Sequence, residues 1–289
     1  MIIDGKAIAE TLLETLKTQT SLLKNKGLIP ALAVILVGDD LGSASYVRQK
    51  EKTAERIGAQ LRVMRYEVRG RKDSIQEQIK ELNADTTIHG IIVQRPLPKQ
   101  LQDKELLDSI TPSKDVDGFV PNSPFTVPVA SAVEKNLHHT YISMQQSNNV
   151  TIEQYMIWLT KQSSVVIGRG ETAGKPIAEY LIHLGCNVSV VHSQTTNEEK
   201  QQHIKNADII ISCVGKKRVI QGAKQGATLI SVGIWRDSEG KLHGDYEEDD
   251  IKDTAAYYTP TPGGVGPVNV ACLMQNLVSA CTNSSSSVH

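Results

Sequence analysis

The chain has 289 residues, of which 39% are hydrophobic and only 4% aromatic, and its 31 Lys and Arg almost cancel its 32 Asp and Glu to leave a formal charge of −1. At roughly 100–200 residues per domain this length predicts two domains, while the near-neutral balance supplies no field for nucleic acid or an anionic membrane. The longest apolar run, Ala31 to Val37, falls far short of the ~20 residues that span a bilayer, and Met1-Ile2-Ile3-Asp4-Gly5-Lys6 lacks the basic-then-apolar order of a secretion signal, so a cytoplasmic protein is expected.

In chain order, apolar residues at helical spacing run from Ile8 to Leu23. A strand follows at Ala31–Val37, ended by Gly38-Asp39-Asp40, and Ser43–Ile57 is helical again. Residues 61–66 read as a strand, 74–83 as a helix, and Gly90–Val93 as a strand stopped by Pro96 and Pro98. From about Phe125 to Gln162 the pattern weakens: His138-His139, Gln145-Gln146 and Ser147-Asn148-Asn149 read as polar, loop-like sequence, and the domain boundary is placed there. A second series then alternates, with strands at Ser164–Ile167, Val188–Val191, Ile209–Val214 and Ala227–Val232 and helices at Gly174–Leu184 and Asn197–Asn206. Residues 268–281 read as a helix, and the serine-rich end as a disordered tail.

With aromatics scarce, the core must be built from Val, Ile, Leu and Ala. That composition and this alternation predict an α/β protein whose second half is a doubly wound parallel sheet. The four cysteines, Cys186, Cys213, Cys272 and Cys281, are widely spaced without a C-x-x-C pair and read as free thiols in a reducing compartment.

The turn Gly168-Arg169-Gly170-Glu171-Thr172-Ala173-Gly174 lies between a strand and a helix, where glycines let backbone N–H groups approach a pyrophosphate. Its G-x-G-x-x-x-G spacing is one residue longer than the commonest fingerprint. A fold of this kind that prefers NAD ends its second strand with an acid for the ribose 2′-hydroxyl, but this strand ends Val191-His192-Ser193-Gln194-Thr195. Ser193 to hydrogen-bond a 2′-phosphate and Arg169 to meet its charge favour NADP over NAD. The plainer alternative makes His192 an ordinary strand-end residue and Arg169 a solvated charge.

On the helix Ser43–Ile57, Val47, Ala54 and Ile57 form one apolar stripe, and Lys50 lies within it. Either its stem packs while the ammonium reaches water, or the amine is partly desolvated and its lowered pKa lets it exchange protons in catalysis. Tyr46 lies one turn earlier, so an aromatic surface and an amine project together. Gln94 and Asp117 lie just beyond strand ends, where open α/β sheets place ligands, although Asp-Gly also marks a turn. Thr259–Pro267, with three glycines and three prolines in nine residues, makes a shaped and restricted loop.

These residues resemble one family, the bifunctional methylenetetrahydrofolate dehydrogenase/cyclohydrolases known as FolD proteins. The shared motifs are Val37-Gly38-Asp39 with Tyr46-x-x-x-Lys50, Gly90-Ile91-Ile92-Val93-Gln94 running into Pro96-Leu97-Pro98, Lys114-Asp115-Val116-Asp117-Gly118-Phe119, Gly168-Arg169, His192-Ser193-x-Thr195, and Pro262-Gly263-Gly264-Val265-Gly266-Pro267. They cover roughly residues 1–122 and 163–280. The resemblance implies two α/β domains with the active-site cleft between them: a folate-binding catalytic domain of 1–124 plus 268–282, and a Rossmann-like NADP-binding domain of 125–267, with 283–289 as the tail.

The implied activity is NADP-dependent oxidation of 5,10-methylenetetrahydrofolate to the methenyl form, and hydrolysis of that product to 10-formyltetrahydrofolate, by a cytoplasmic homodimer in one-carbon metabolism. On the same resemblance Lys50 handles protons as water adds to the methenyl cation, and Gln94 bonds and orients Lys50. Tyr46 stacks on the folate rings, Asp117 accepts hydrogen bonds from pterin N–H groups, and Pro262, Gly263 and Gly264 line the folate cleft. Gly168, Arg169, Gly170, Gly174, Ser193 and Thr195, with Val214-Gly215 and Gly233-Ile234 at the ends of the next two strands, are assigned to the cofactor. No metal is implied.

Some positions depart from the family pattern. Its Pro-Cys-Thr-Pro-x-Gly segment is here Pro128-Val129-Ala130-Ser131, and the stretch up to Val165 is several residues longer. Its Asp-Val-Gly becomes Ser231-Val232-Gly233, which removes a carboxylate near a sheet end, and its Gly-Arg-Ser becomes Gly168-Arg169-Gly170. All lie on the cofactor side. The alternatives are therefore a single-activity cyclohydrolase with an impaired dehydrogenase, or a non-catalytic folate or NADP-binding paralogue. Retention of Tyr46, Lys50, Gln94 and Asp117 together argues against the second. Without the resemblance the residues lead only to an NADP-dependent enzyme of unknown substrate, with a shikimate-type dehydrogenase as a rival.

Overall fold

The computed structural model describes every residue except 69–71, 102–103, 148 and 287–289. Two units make up the chain, a first of Glu10–Pro128 with the residues from Val270 on, and a second of Met1–Ala9 with Val129–Asn269. The N-terminal residues group with the second unit because Ile2 bridges Tyr258 and the Ile3 N–H donates to the Tyr258 carbonyl at 2.8 Å. The division at the N-terminus thus differs from one drawn at residues 1–124.

The chain begins with α1 (Gly5–Lys24), β1 (Ala31–Val37), α2 (Leu41–Ile57), β2 (Gln60–Tyr66), α3 (Lys72–Ala84), β3 (Gly90–Val93) and the short α4 (Lys104–Asp108). The three strands form a parallel sheet in the order β2-β1-β3. Both β1 and β3 are buried along their whole length, which is why they read as unbroken apolar runs. Helix α2 starts where the Asp40 carboxylate accepts the Ser43 N–H at 2.6 Å, and stops at Gly58, whose φ of 78° is left-handed. Its buried stripe of Val47, Ala54 and Ile57 fixes the helix's rotation about its axis, and with it the direction of Lys50. The core of the first unit includes Ala33, Ile35, Ile75, Ile79, Ile91 and Val93.

The second unit contains α5 (Pro128–Gln145), α6 (Ile152–Lys161), β4 (Ser163–Ile167), α7 (Gly174–His183), β5 (Asn187–Val191), α8 (Asn197–Asn206), β6 (Ile209–Ser212), β7 (Ala227–Ser231), the hairpin β8 (Trp235–Arg236) and β9 (Leu242–His243), α9 (Glu248–Ile251) and β10 (Ala255–Tyr258). Helix α10 (Val265–Ser286) ends the described chain. The strands run parallel in the order β10-β7-β6-β4-β5, so the chain leaves β4 for β5 on one side and returns to β6 on the other. That reversal is the topological switch point where such sheets bind nucleotides.

Two expectations are corrected. Residues 125–162, read as loop-like, form α5 and α6. The stripe Val129, Val133, Leu137, Tyr141 is at helical spacing, but Asn136 and Thr140 interrupt it and are themselves buried. They are accommodated because their side chains bond back to the helix: Asn136 Nδ2 donates to the Ala132 carbonyl at 2.7 Å, and Thr140 Oγ1 to the Asn136 carbonyl at 2.8 Å. The expected tail is helical through Ser286, and residues 287–289 lie outside the described residues, as does Asn148 of the polar stretch. All four cysteines are free thiols, and Cys186, Cys272 and Cys281 are buried. Among the described residues no helix is long and apolar enough to cross a membrane.

Candidate functional site

In the first unit the sheet ladder runs one residue past β3, where the Gln94 N–H donates to the Ile35 carbonyl at 2.9 Å and delivers the side chain to the C-terminal edge. The Gln94 amide is held at both ends. Its Nε2 donates to the Arg95 carbonyl at 2.8 Å, and its Oε1 accepts from Lys50 Nζ at 2.9 Å. With the NH2 committed to Arg95, only the oxygen is left to face Lys50. Lys50 is half-buried on α2, and exposed Tyr46 lies one turn before it. Burial holds the Lys50 amine below the ordinary lysine value of 10.5, against the opposing pull of the Asp117 carboxylate.

The loop carrying Asp117 is fixed by its neighbours. Lys114 Nζ donates to the carbonyls of Leu82 and Asp85 at 2.8 and 2.7 Å, which occupies it at the end of α3. The buried Asp115 carboxylate accepts the Val120 N–H at 2.8 Å. Gly118 turns the chain with a φ of 74°, and a Cβ there would lie 2.7 Å from the Phe125 carbonyl oxygen. Asn276 of α10 donates to the Val116 and Thr126 carbonyls at 2.9 and 3.0 Å. Lys114 and Asp115 therefore serve the backbone, and half-buried Asp117 is the acid that acts on Lys50.

In the second unit Gly168 leaves β4 with a φ of 105°, and a Cβ on Gly174 would lie 2.1 Å from the Gly168 oxygen, so strand end and helix start approach as only glycine allows. Gly170 has open space where a Cβ would sit, so nothing steric keeps a serine out. Helix α7 has no side-chain cap at Ala173, and the positive end of its dipole faces the turn. Arg169 Nη2 donates to Gln194 Oε1 at 3.0 Å, which carries the guanidinium to the end of β5 beside Ser193. The turn there closes on itself: Thr195 Oγ1 accepts the His192 N–H at 3.0 Å, and the Gln194 N–H reaches His192 Nδ1 at 3.2 Å.

At the ends of β6 and β7, Val214-Gly215 and Gly233-Ile234 pack backbone to backbone, since a Cβ on Gly233 would lie 2.3 Å from the Gly215 nitrogen. The cofactor candidates thus line the C-terminal ends of four adjacent strands. A glycine-shaped turn under a helix dipole, with a cation and no acid at the end of β5, fits a dinucleotide carrying a 2′-phosphate. The Pro262-Gly263-Gly264 segment belongs to this unit as well, where a Cβ on Gly264 would lie 2.7 Å from the Pro260 oxygen and Gly263 has a φ of 112°. Tyr46, Lys50, Gln94 and Asp117 are gathered in the first unit, and the remaining candidates in the second.

Residues 3–117 match the tetrahydrofolate dehydrogenase/cyclohydrolase catalytic domain, and residues 146–285 match the NAD(P)-binding domain of the same family. The chain is 38% identical over 291 residues to the bifunctional protein FolD of Lactococcus lactis subsp. cremoris, an alignment that covers 97% of this chain and 96% of the relative. The chain belongs to the tetrahydrofolate dehydrogenase/cyclohydrolase family. Among solved structures, the FolD enzyme of Campylobacter jejuni superposes with a TM-score of 0.89 at 34% identity, covering 98% of this chain and 99% of that one. The Trypanosoma brucei FolD, solved with NADP cofactor and an inhibitor, superposes with a TM-score of 0.87 at 30% identity, covering 99% of this chain and 98% of that one.

Set within the FolD family, what the residue-by-residue reading missed is the support around the site: Gln194 under Arg169, Asn276 behind the Asp117 loop, and Asp245 at the end of the cofactor sheet. Gln194 lies inside the motif His192-Ser193-x-Thr195, but nothing in a sequence says which partner an amide faces. Asp245 follows the hairpin β8–β9, whose two-residue strands are too short to show a period. The carboxylate absent at Ser231 has a counterpart there, since Asp245 places one at the same sheet edge, within hydrogen-bond reach of Ser212 Oγ at 2.6 Å.

Proposed function

We propose that this protein oxidises 5,10-methylenetetrahydrofolate with NADP and hydrolyses the methenyl product to 10-formyltetrahydrofolate, with Lys50, Gln94, Asp117 and Tyr46 of the first unit serving the folate chemistry and the dinucleotide candidates lying in the second. The observation that carries the reading is the half-buried Lys50 amine held by Gln94 Oε1 at 2.9 Å, with Asp117 acting on it, inside the region that matches the family's catalytic domain.

In the hydrolysis, water oxygen adds to the electrophilic methenyl carbon and one of its protons passes to neutral Lys50. The C–N5 bond then breaks as Lys50 returns that proton to N5, the second water proton leaves to solvent, and the formyl group remains on N10. Burial suits Lys50 to this task, because a neutral amine can take the proton and does not repel the cationic substrate. Gln94 keeps the amine aimed, Asp117 accepts hydrogen bonds from the pterin N–H groups, and Tyr46 stacks on the rings. Pro262, Gly263 and Gly264 contribute a closely approaching backbone to folate binding. When bound, NADP supplies the hydride acceptor for the oxidation. Gly168, Gly170 and Gly174 accommodate its pyrophosphate, Arg169, Ser193 and Thr195 its 2′-phosphate end, and Val214-Gly215 and Gly233-Ile234 the remainder.

The protein acts as a homodimer in the cytoplasm. Among the described residues β5 stands at one end of the sheet order, and Val190 on it is 38% exposed, an edge that a second copy would cover. Free cysteines suit a reducing compartment.

The test is an assay of the purified protein with methylenetetrahydrofolate and NADP or NAD, following NADPH and methenyl absorbance, and a separate timing of methenyltetrahydrofolate decay. Both activities are expected, with NADP preferred. No reduction of either cofactor would remove the dehydrogenase, and decay at the uncatalysed rate would remove the cyclohydrolase.

A further inference from the structure

One fully buried carboxylate in the second unit has no part in the roles given above. Asp245 Oδ2 accepts from Ser212 Oγ at 2.6 Å and from the Val214 N–H at 2.9 Å, and Oδ1 accepts the Lys216 N–H at 2.8 Å. Its own N–H donates to Ser231 Oγ at 2.9 Å, and that hydroxyl donates onward to the Gly233 carbonyl at 3.2 Å. A single residue therefore ties the segment after β6 to the segment after β7. The fit is close: a Cβ on Gly233 would lie 2.3 Å from Asp245 Oδ2.

We propose that Asp245 is a positioning residue for the dinucleotide, setting Val214-Gly215 and Gly233-Ile234 at the sheet edge, with Ser231 as the link between them. The inference rests on the dinucleotide reading of that edge. The side chain has to be a carboxylate because its two oxygens face different backbone donors. An asparagine would turn its NH2 toward either the Val214 or the Lys216 N–H, leaving a buried donor facing a donor. Serine suits position 231 for the matching reason: it accepts from Asp245 and donates to Gly233, whereas an ionised aspartate has no proton to donate to that carbonyl.

The experiment is calorimetric titration of NADP+ into Asp245→Asn without folate, with circular dichroism melting and hydrolysis of added methenyltetrahydrofolate as controls on the fold. Displacing the segments that Asp245 holds costs the dinucleotide backbone contacts, and the loss of one such hydrogen bond corresponds to about a tenfold change in the binding constant. The NADP+ Kd is therefore expected to rise about tenfold or more, by a factor larger than any loss of hydrolysis. A Kd equal to that of the wild type overturns the proposal. If Asp245→Asn does not fold, Ser231→Ala decides: it keeps the carboxylate but breaks the link, so a raised Kd supports the proposal and an unchanged one overturns it. A wild type that binds no NADP+ would instead remove the dinucleotide reading, and this inference with it.

Discussion

At the end of β5 the choice of cofactor comes down to a few side chains. Arg169 is drawn there by Gln194 at 3.0 Å, and exposed Ser193 stands next to that amide. Charge-assisted hydrogen bonds to a phosphate contribute about 1.5–3 kcal/mol each, so Arg169→Ala should weaken NADP by about 10–100-fold while changing NAD far less. Comparing KM for the two cofactors checks this, and equal losses for both would place Arg169 elsewhere than at the 2′-phosphate. Two lysines show how far residue type alone can be read. Lys50 is conspicuous on its apolar stripe, where packing of its stem and use of its amine are both open readings, and the structure adds a bond from its amine to Gln94 that favours the second. Lys114 sits in an equally suggestive motif, and the structure occupies it with the Leu82 and Asp85 carbonyls.

Helices and strands were legible where burial is one-sided or complete. β1 and β3 are buried throughout and show as continuous apolar runs, and α2 shows as a stripe. α5 was not legible, because two of its buried positions carry polar side chains, which donate back to carbonyls of their own helix. The cap of α6 was a missed signal, since Thr151 and Gln154 form a reciprocal capping box. For β5 the informative property is what it leaves unpaired. Val190→Lys puts a charge on that exposed edge and, if the proposed dimer forms there, should give a monomer in light scattering at micromolar concentration where the wild type is a dimer. A variant that stays dimeric would move the interface away from β5.

For the whole molecule, alternating strands and helices indicated two α/β units, and both parallel sheets are present. Their limits were less legible. The first nine residues join the second unit through the backbone bonds to Tyr258, a pairing between positions too far apart in sequence for any local pattern to show. The proposed division of labour puts Lys50 in one unit and the dinucleotide candidates in the other.

The most direct measurement is hydrolysis of methenyltetrahydrofolate across pH by wild type and Lys50→Met, with NADP+ affinity measured on the same samples. Because burial lowers the Lys50 pKa and the neutral amine is the active form, the wild-type rate should rise with pH through a midpoint below 10.5. Lys50→Met should lose hydrolysis by about 10²–10⁴-fold and its pH-dependent rise, while still binding NADP+. Hydrolysis by Lys50→Met at the wild-type rate, with the same pH profile, would contradict the account.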